Sequence, residues 1–201
     1  GRSNSNESIK ESLIRVNSGA TLNINEGAVL RNNKIMDIKN TATRGGAVNA
    51  YEATINMTGG SVEENQASYG GGIYLYKSTM NFSGGVVQNN EAKRVIDYAY
   101  GGAIYSAGGG IIASGASTIN FSGDAKVLNN SADEVGGGIS LGTRQVDGQN
   151  KLYMTGGLID GNIAGASGGG IFIQCRLLDG GKSIAYISSG KITNNKMSGT
   201  G

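Results

Sequence analysis

Residues 54 to 74 read TINMTGGSVEENQASYGGGIY, and this stretch decides the fold because it recurs along the chain. The unit returns as TMNFSGGVVQNN from Thr79, TINFSGDAKVLNN from Thr118, KLYMTGGLIDGN from Lys151 and AYISSGKITNN from Ala185, after a degenerate opening copy, TLNINEGAVLRN, from Thr21. Self-similarity of this kind marks a repeat architecture. In each copy a branched apolar residue stands three places before an asparagine: Val29/Asn32, Val62/Asn65, Val87/Asn90, Val127/Asn130, Ile159/Asn162 and Ile192/Asn195. A glycine element follows each of the first five asparagines, as GGAV at 45–48, GGGI at 70–73, GGAI at 101–104, GGGI at 136–139 and GGGI at 168–171. The minimal unit is about 25 residues. Insertions lengthen it, the largest being 93–100, 107–117, 142–150 and 174–183.

Each unit holds three short segments with apolar residues at alternate positions, such as Ile55 and Met57, then Val62, then Ile73 and Leu75. Period two over four or five residues predicts strands with one buried face. Glycine pairs between segments supply the corners. Three strands and three corners per unit describe one coil of a parallel β-helix, so the chain is expected to be an all-β solenoid of about six coils with loop insertions. Residues 1–20 are expected to be an N-terminal cap or lead-in and 21–201 the repeats, with the C-terminal end cut within a repeat. Stacked strands lie about 4.8 Å apart, which lets equivalent asparagine amides bond along the stack. Asn32, Asn65, Asn90, Asn130, Asn162 and Asn195 are therefore expected to form a structural ladder.

The composition agrees with this and narrows function. Glycine is 36 of 201 residues, and proline, histidine and tryptophan are absent. Without histidine there is no Ser-His-Asp or Cys-His nucleophile system, no His-ligated zinc and no imidazole acid–base catalyst. Glycine without proline excludes collagen. Lysine and arginine number 17 against 15 acids, for a net charge of +2, and the basic side chains are dispersed, so nucleic acid is not an expected partner. The single cysteine, Cys175, gives neither a disulfide framework nor a C-x-x-C metal knuckle, and without a nearby base it is expected to be inert. No apolar run is long enough to span a bilayer, and no insertion by this segment is expected.

Alternating GGAI-type tetrapeptides and [VI]-x-x-N elements resemble the repeats of right-handed parallel β-helix surface proteins, including polymorphic outer membrane proteins, and are similar to repeat adhesins of bacterial surfaces. The resemblance covers roughly residues 20 to 201. It implies a right-handed helix, an extracellular place on the bacterial surface or in secreted form, and a role as adhesin, host-protein binder, immune-evasion factor or stalk.

Several motifs fail on inspection. Polysaccharide-cleaving β-helices set carboxylates in register on neighbouring coils, but Glu63, Glu64, Glu91 and Asp160 have no acid at the equivalent place next door. Carboxylates on insertions, Asp133, Glu134 and Asp147, escape that argument. Gly180-Gly181-Lys182-Ser183 lacks the earlier glycine of a phosphate-binding loop, since Arg176 stands there. The calcium-binding nonapeptide is missing. Sequons at Asn6, Asn56, Asn81 and Asn120 are mostly by-products of the strand repeat. Ice binding is not expected, because insertions and mixed outward residues break up a regular threonine array. No metal and no cofactor is expected.

What remains is aromatic. With Ile73, Leu75, Ile104 and Ile171 inward, the outward column should read Asn49, Tyr74, Tyr105, Ser140, Phe172. Tyr76 and Tyr51 extend it sideways, and the 93–100 insertion adds Lys93, Arg94, Tyr98 and Tyr100. Exposed tyrosine and arginine are what interface hot spots are made of. The sequence thus predicts a monomeric, non-catalytic adhesin-like module that engages a host protein, such as a matrix protein, mucin or immunoglobulin, through these residues. A polysaccharide-binding or polysaccharide-cleaving β-helix and a passive stalk are the alternatives.

Overall fold

The computed structural model describes residues 11–35, 43–97, 102–104, 106–142, 149–174 and 182–199. These are all-β, with no helix among the described residues and three parallel sheets. The first sheet orders Ile14–Val16, Val48–Tyr51, Ile73–Tyr76, Ile111–Ser114, Ile139–Leu141 and Ile171–Ile173. Ile14–Val16, read from the sequence as cap or lead-in, is thus an edge strand paired with Val48–Ala50. A second sheet carries Thr21–Ile24, Val29–Arg31, Thr54–Glu63, Thr79–Gln88, Thr118–Phe121, Lys126–Leu128, Lys151–Asp160 and Ile184–Thr193. Five two-residue strands, from Gln66–Ala67 to Lys196–Met197, make the third. Every pairing in these sheets joins one repeat to the next in parallel, which stacks equivalent residues into columns.

Alternation buries one face of each strand. Ile24, Met57, Phe82, Phe121 and Met154 form one inward column and Ile55, Met80, Ile119 and Leu152 another, all at or near zero exposure. They meet Val48, Ala50, Ile73, Leu75, Ile111, Ile139 and Leu141 of the first sheet in one core. Phe82 and Phe121 pack edge to face with centroids 5.2 Å apart. Burying such a side chain is worth about 2–3 kcal/mol.

The three-strand expectation needs one change. In the copies starting at Thr54, Thr79, Lys151 and Ile184 the first two segments are one ten-residue strand, because pairing continues through the bend with a shift of register at the glycines.

The glycine element has a separate reason at each place, seen in the third repeat. Gly108 has φ +67, left-handed backbone that favours glycine, and turns the chain back so that Ala107 lies against Ile112. A Cβ on Gly109 would stand 2.3 Å from the carbonyl oxygens of Gly137 and Ser131 in the next repeat. One on Gly110 would meet the Asn130 amide at 3.0 Å. The element that stacks here is therefore Gly108 to Ile111, not the GGAI at 101–104 that the sequence reading selected. Ile111 and Ile112 pair with Ile73 and Tyr74 on one side and Ile139 and Ser140 on the other. Gly102–Ile104 instead pairs antiparallel with Val95–Asp97, as part of the insertion.

The asparagine column is continuous, buried from Asn33 to Asn162 and half-buried at Asn195. Asn65 donates Nδ2–H to Asn90 Oδ1 at 3.0 Å, Asn90 to Asn130 at 3.0 Å, Asn130 to Asn162 at 3.0 Å and Asn162 to Asn195 at 2.9 Å. Each Oδ1 also accepts a backbone N–H from the repeat before. The first member is Asn33 and not Asn32: Asn33 N–H donates to Asn65 Oδ1 at 3.1 Å and Asn33 is buried, whereas Asn32 is exposed at φ 63. In this copy Leu30, not Val29, pairs with Val62. Position for position, Asn32 matches Glu64, Asn89, Asn129 and Asn194, all with positive φ.

Candidate functional site

Outward residues of the first sheet begin with Arg15, Asn49 and Tyr74 in one register column and Tyr51 and Tyr76 in the next. Their alternates Val48, Ala50, Ile73 and Leu75 are fully buried in the core, which fixes the outward direction of this set. Arg44 joins from the corner before Gly45, and the six line a groove of about 450 Å³.

Tyr51 and Tyr76 stack with centroids 4.9 Å apart and planes at 15°. The Arg44 guanidinium lies over the Tyr74 ring, 5.6 Å from its centroid, and the Lys77 ammonium over Tyr76 at 5.5 Å. Cations over ring faces are held by the ring quadrupole. Lys77 is paired with Glu52 at 3.5 Å. Arg15 donates Nε–H to Asn17 Oδ1 at 3.1 Å, and neither Arg15 nor Arg44 has an ion-pair partner among the described residues. Among the described residues, two guanidinium groups without a carboxylate partner thus line one groove with three tyrosines.

The column expected to be exposed is in good part covered. Tyr74 is only 5% exposed and belongs to a second apolar cluster with Tyr69, Ala107, Ile112 and Val135, against which Tyr76 and Phe172 pack. The reason lies in the glycine corners, which bring the column Arg44, Tyr69, Ala107, Val135, Ser167 beside the column Asn49, Tyr74, Ile112, Ser140, Phe172. Ile112 occupies the place assigned from sequence to Tyr105. Tyr51, 44% exposed, is the most open aromatic of the groove.

Lys93 and Arg94 are not part of this groove. Lys93 Nζ donates to Glu91 Oε1 at 3.1 Å, Arg94 N–H donates to Asp133 Oδ2 at 2.9 Å, and the Arg94 guanidinium stands 3.7 Å from Glu134. The Glu91 carboxylate, through that hydrogen bond and its charge, raises the Lys93 pKa above the usual lysine value. The Arg94 contacts fasten the base of the insertion to the next repeat, and they account for Asp133 and Glu134. Tyr98, Tyr100, Tyr105, Asp147 and Cys175 lie outside the described residues. Among the described residues no three His, Cys, Asp or Glu side chains gather where they could hold a metal ion.

Arg15 and Arg44 escaped the sequence reading. The signal for Arg44 was present: it precedes its glycine element as Tyr69 precedes Gly70. No protein-family model, no curated protein and no solved structure matches this chain.

Proposed function

We propose that this chain is a right-handed parallel β-helix of about six coils from a bacterial surface repeat protein, and that it acts outside the cell as a non-catalytic module binding an acidic segment of a host protein. In-register parallel pairing between successive repeats and the buried amide column support the solenoid, and crossovers between parallel strands are right-handed in nearly all proteins. The observation that carries the binding reading is the groove in which Arg15 and Arg44, without carboxylate partners among the described residues, converge with Tyr51, Tyr74 and Tyr76. Guanidinium forks suit carboxylates bidentately, and tyrosine supplies rigid contact area at low entropic cost.

Binding of the immobilised protein to a panel of matrix proteins, mucins and immunoglobulins tests this. Saturable binding that falls about tenfold in Tyr51→Ala and in the Arg15→Gln/Arg44→Gln double variant is expected. Tyr51 is chosen over Tyr74 because Tyr74 is buried and its removal would disturb packing. Binding unchanged in both variants would reject the groove, and no binding to any panel member would favour a passive stalk.

A further inference from the structure

The outer face of the second sheet carries a different surface. Asn23, Asn56, Asn81 and Asn120 stand in one register column, each later amide donating Nδ2–H to the Oδ1 before it at 2.9, 2.8 and 2.8 Å. Beside it Thr21, Thr54, Thr79 and Thr118 form a parallel column, so insertions elsewhere do not interrupt this face. The asparagine column continues into Tyr153 and Tyr186, whose rings stack 5.1 Å apart and within 4° of coplanar. Both are exposed, at 37% and 52%.

Where these two strands bend, just past the tyrosines, a groove of about 460 Å³ opens over Gly156, Gly157 and Gly190, flanked by Lys126, Lys191 and Asp124. Lys151 continues the threonine column two residues before Tyr153 on the same face. None of Lys126, Lys151 and Lys191 has an ion-pair partner among the described residues.

We infer that this face binds a glycan chain bearing carboxylate groups, independently of the Arg15/Arg44 groove. A sugar ring offers an apolar C–H face and a rim of hydroxyls. Tyr153 and Tyr186 present a flat surface for the first. The outer amides meet the second, since Asn56, Asn81 and Asn120 each use one N–H in the ladder and keep another N–H and a lone pair for hydroxyls. Lys126, Lys151 and Lys191 supply the charge that selects an acidic chain over a neutral one, as Asp124 and Asp160 are the acids nearby and Asp160 already accepts from Thr193 and Asn194.

The test is a glycan array of uronate-bearing and sialate-bearing oligosaccharides beside their carboxyl-reduced counterparts, followed by titration of the strongest binder. Acidic glycans are expected to bind, and affinity to fall about tenfold in Tyr153→Ala/Tyr186→Ala and in Lys126→Gln/Lys191→Gln. All four residues are at least partly exposed, and circular dichroism checks that the variants keep their sheet content. Tyr51→Ala should leave glycan binding untouched, so failure of the host-protein reading would not touch this one. Three results would each overturn the inference: no acidic glycan bound, carboxyl-reduced chains bound equally well, or affinity unchanged in the tyrosine pair variant.

Discussion

The two asparagine ladders of this molecule use the same bond at the same repeat. Inside, Asn65, Asn90, Asn130 and Asn162 pass Nδ2–H to Oδ1 at 2.9 to 3.0 Å; outside, Asn56, Asn81 and Asn120 do so at 2.8 to 2.9 Å. What differs is everything around the bond. Each inner Oδ1 also accepts a backbone N–H, and inner amides reach a carbonyl of the preceding repeat, as Asn130 Nδ2 does to Val87 O at 3.0 Å. The inner side chains are at most 1% exposed. Outer amides bond chiefly to one another in reach of water. A hydrogen bond gains little over its hydrated alternative, but a buried group left unmade costs its full desolvation. The inner ladder therefore holds the fold, whereas the outer one is free to meet a ligand.

Removing one member from each ladder should separate them most sharply. Asn130→Ala strands the Asn90 backbone N–H, one of the two Asn90 amide hydrogens and the Val87 carbonyl in the core, and is expected to cost about 3 kcal/mol. Asn81→Ala, its outer counterpart, should stay within about 0.5 kcal/mol. Urea midpoints of the two variants check this. Equal losses would mean that burial is not what separates the ladders.

A smaller effect comes from space rather than bonding. Gly110→Ala sets a methyl 3.0 Å from the Asn130 amide and 2.7 Å from Gly138 O, at a place where φ itself is not the obstacle. Overpacking of this kind costs about 1–3 kcal/mol, and a lower urea midpoint with an unchanged slope is the expected result. An unaltered midpoint would show that the inner ladder has room to shift, and would weaken its claim to rigidity.

The sequence made the inner ladder legible because a buried amide must recur once per repeat at one place. Its first rung slipped because Asn32 and Asn33 adjoin, and Val29 and Leu30 both look like the apolar mark. The doublets Asn89-Asn90, Asn129-Asn130 and Asn194-Asn195 held the answer, since the first of each takes the left-handed corner and the second turns inward. The third glycine element was confused for a related reason: two glycine runs compete, and the one that stacks is GGGI at 108–111, identical to the runs at 70–73, 136–139 and 168–171. Outward tyrosines were harder. Alternation says that Tyr74 leaves the core face, but only the fold shows that Tyr69, Ile112 and Val135 wait on the other side. Arg15 lies in a separate segment that nothing local in sequence ties to Tyr51, and Arg44 shows its place only through the corner column that it shares with Tyr69.

The smallest effect tests the exposed end of the same scale. Lys93 has its pKa raised first by the hydrogen bond to Glu91, then by the charges of Glu91 and Asp133. A raised lysine stabilises the fold while pH is below its unfolded value, and the contribution disappears as pH climbs through the folded value. The window therefore opens above the ordinary 10.5 and leaves neutral pH untouched. With the Lys93 side chain 46% and the Glu91 side chain 38% exposed, solvent screening limits the contribution to about a few tenths of a kcal/mol. Lys93→Met should differ from the parent by no more than that at neutral pH, and the difference should vanish in alkali. A midpoint shift as large as that of Asn130→Ala would break the rule drawn from the ladders, because an exposed polar contact would then be holding the fold as firmly as a buried one.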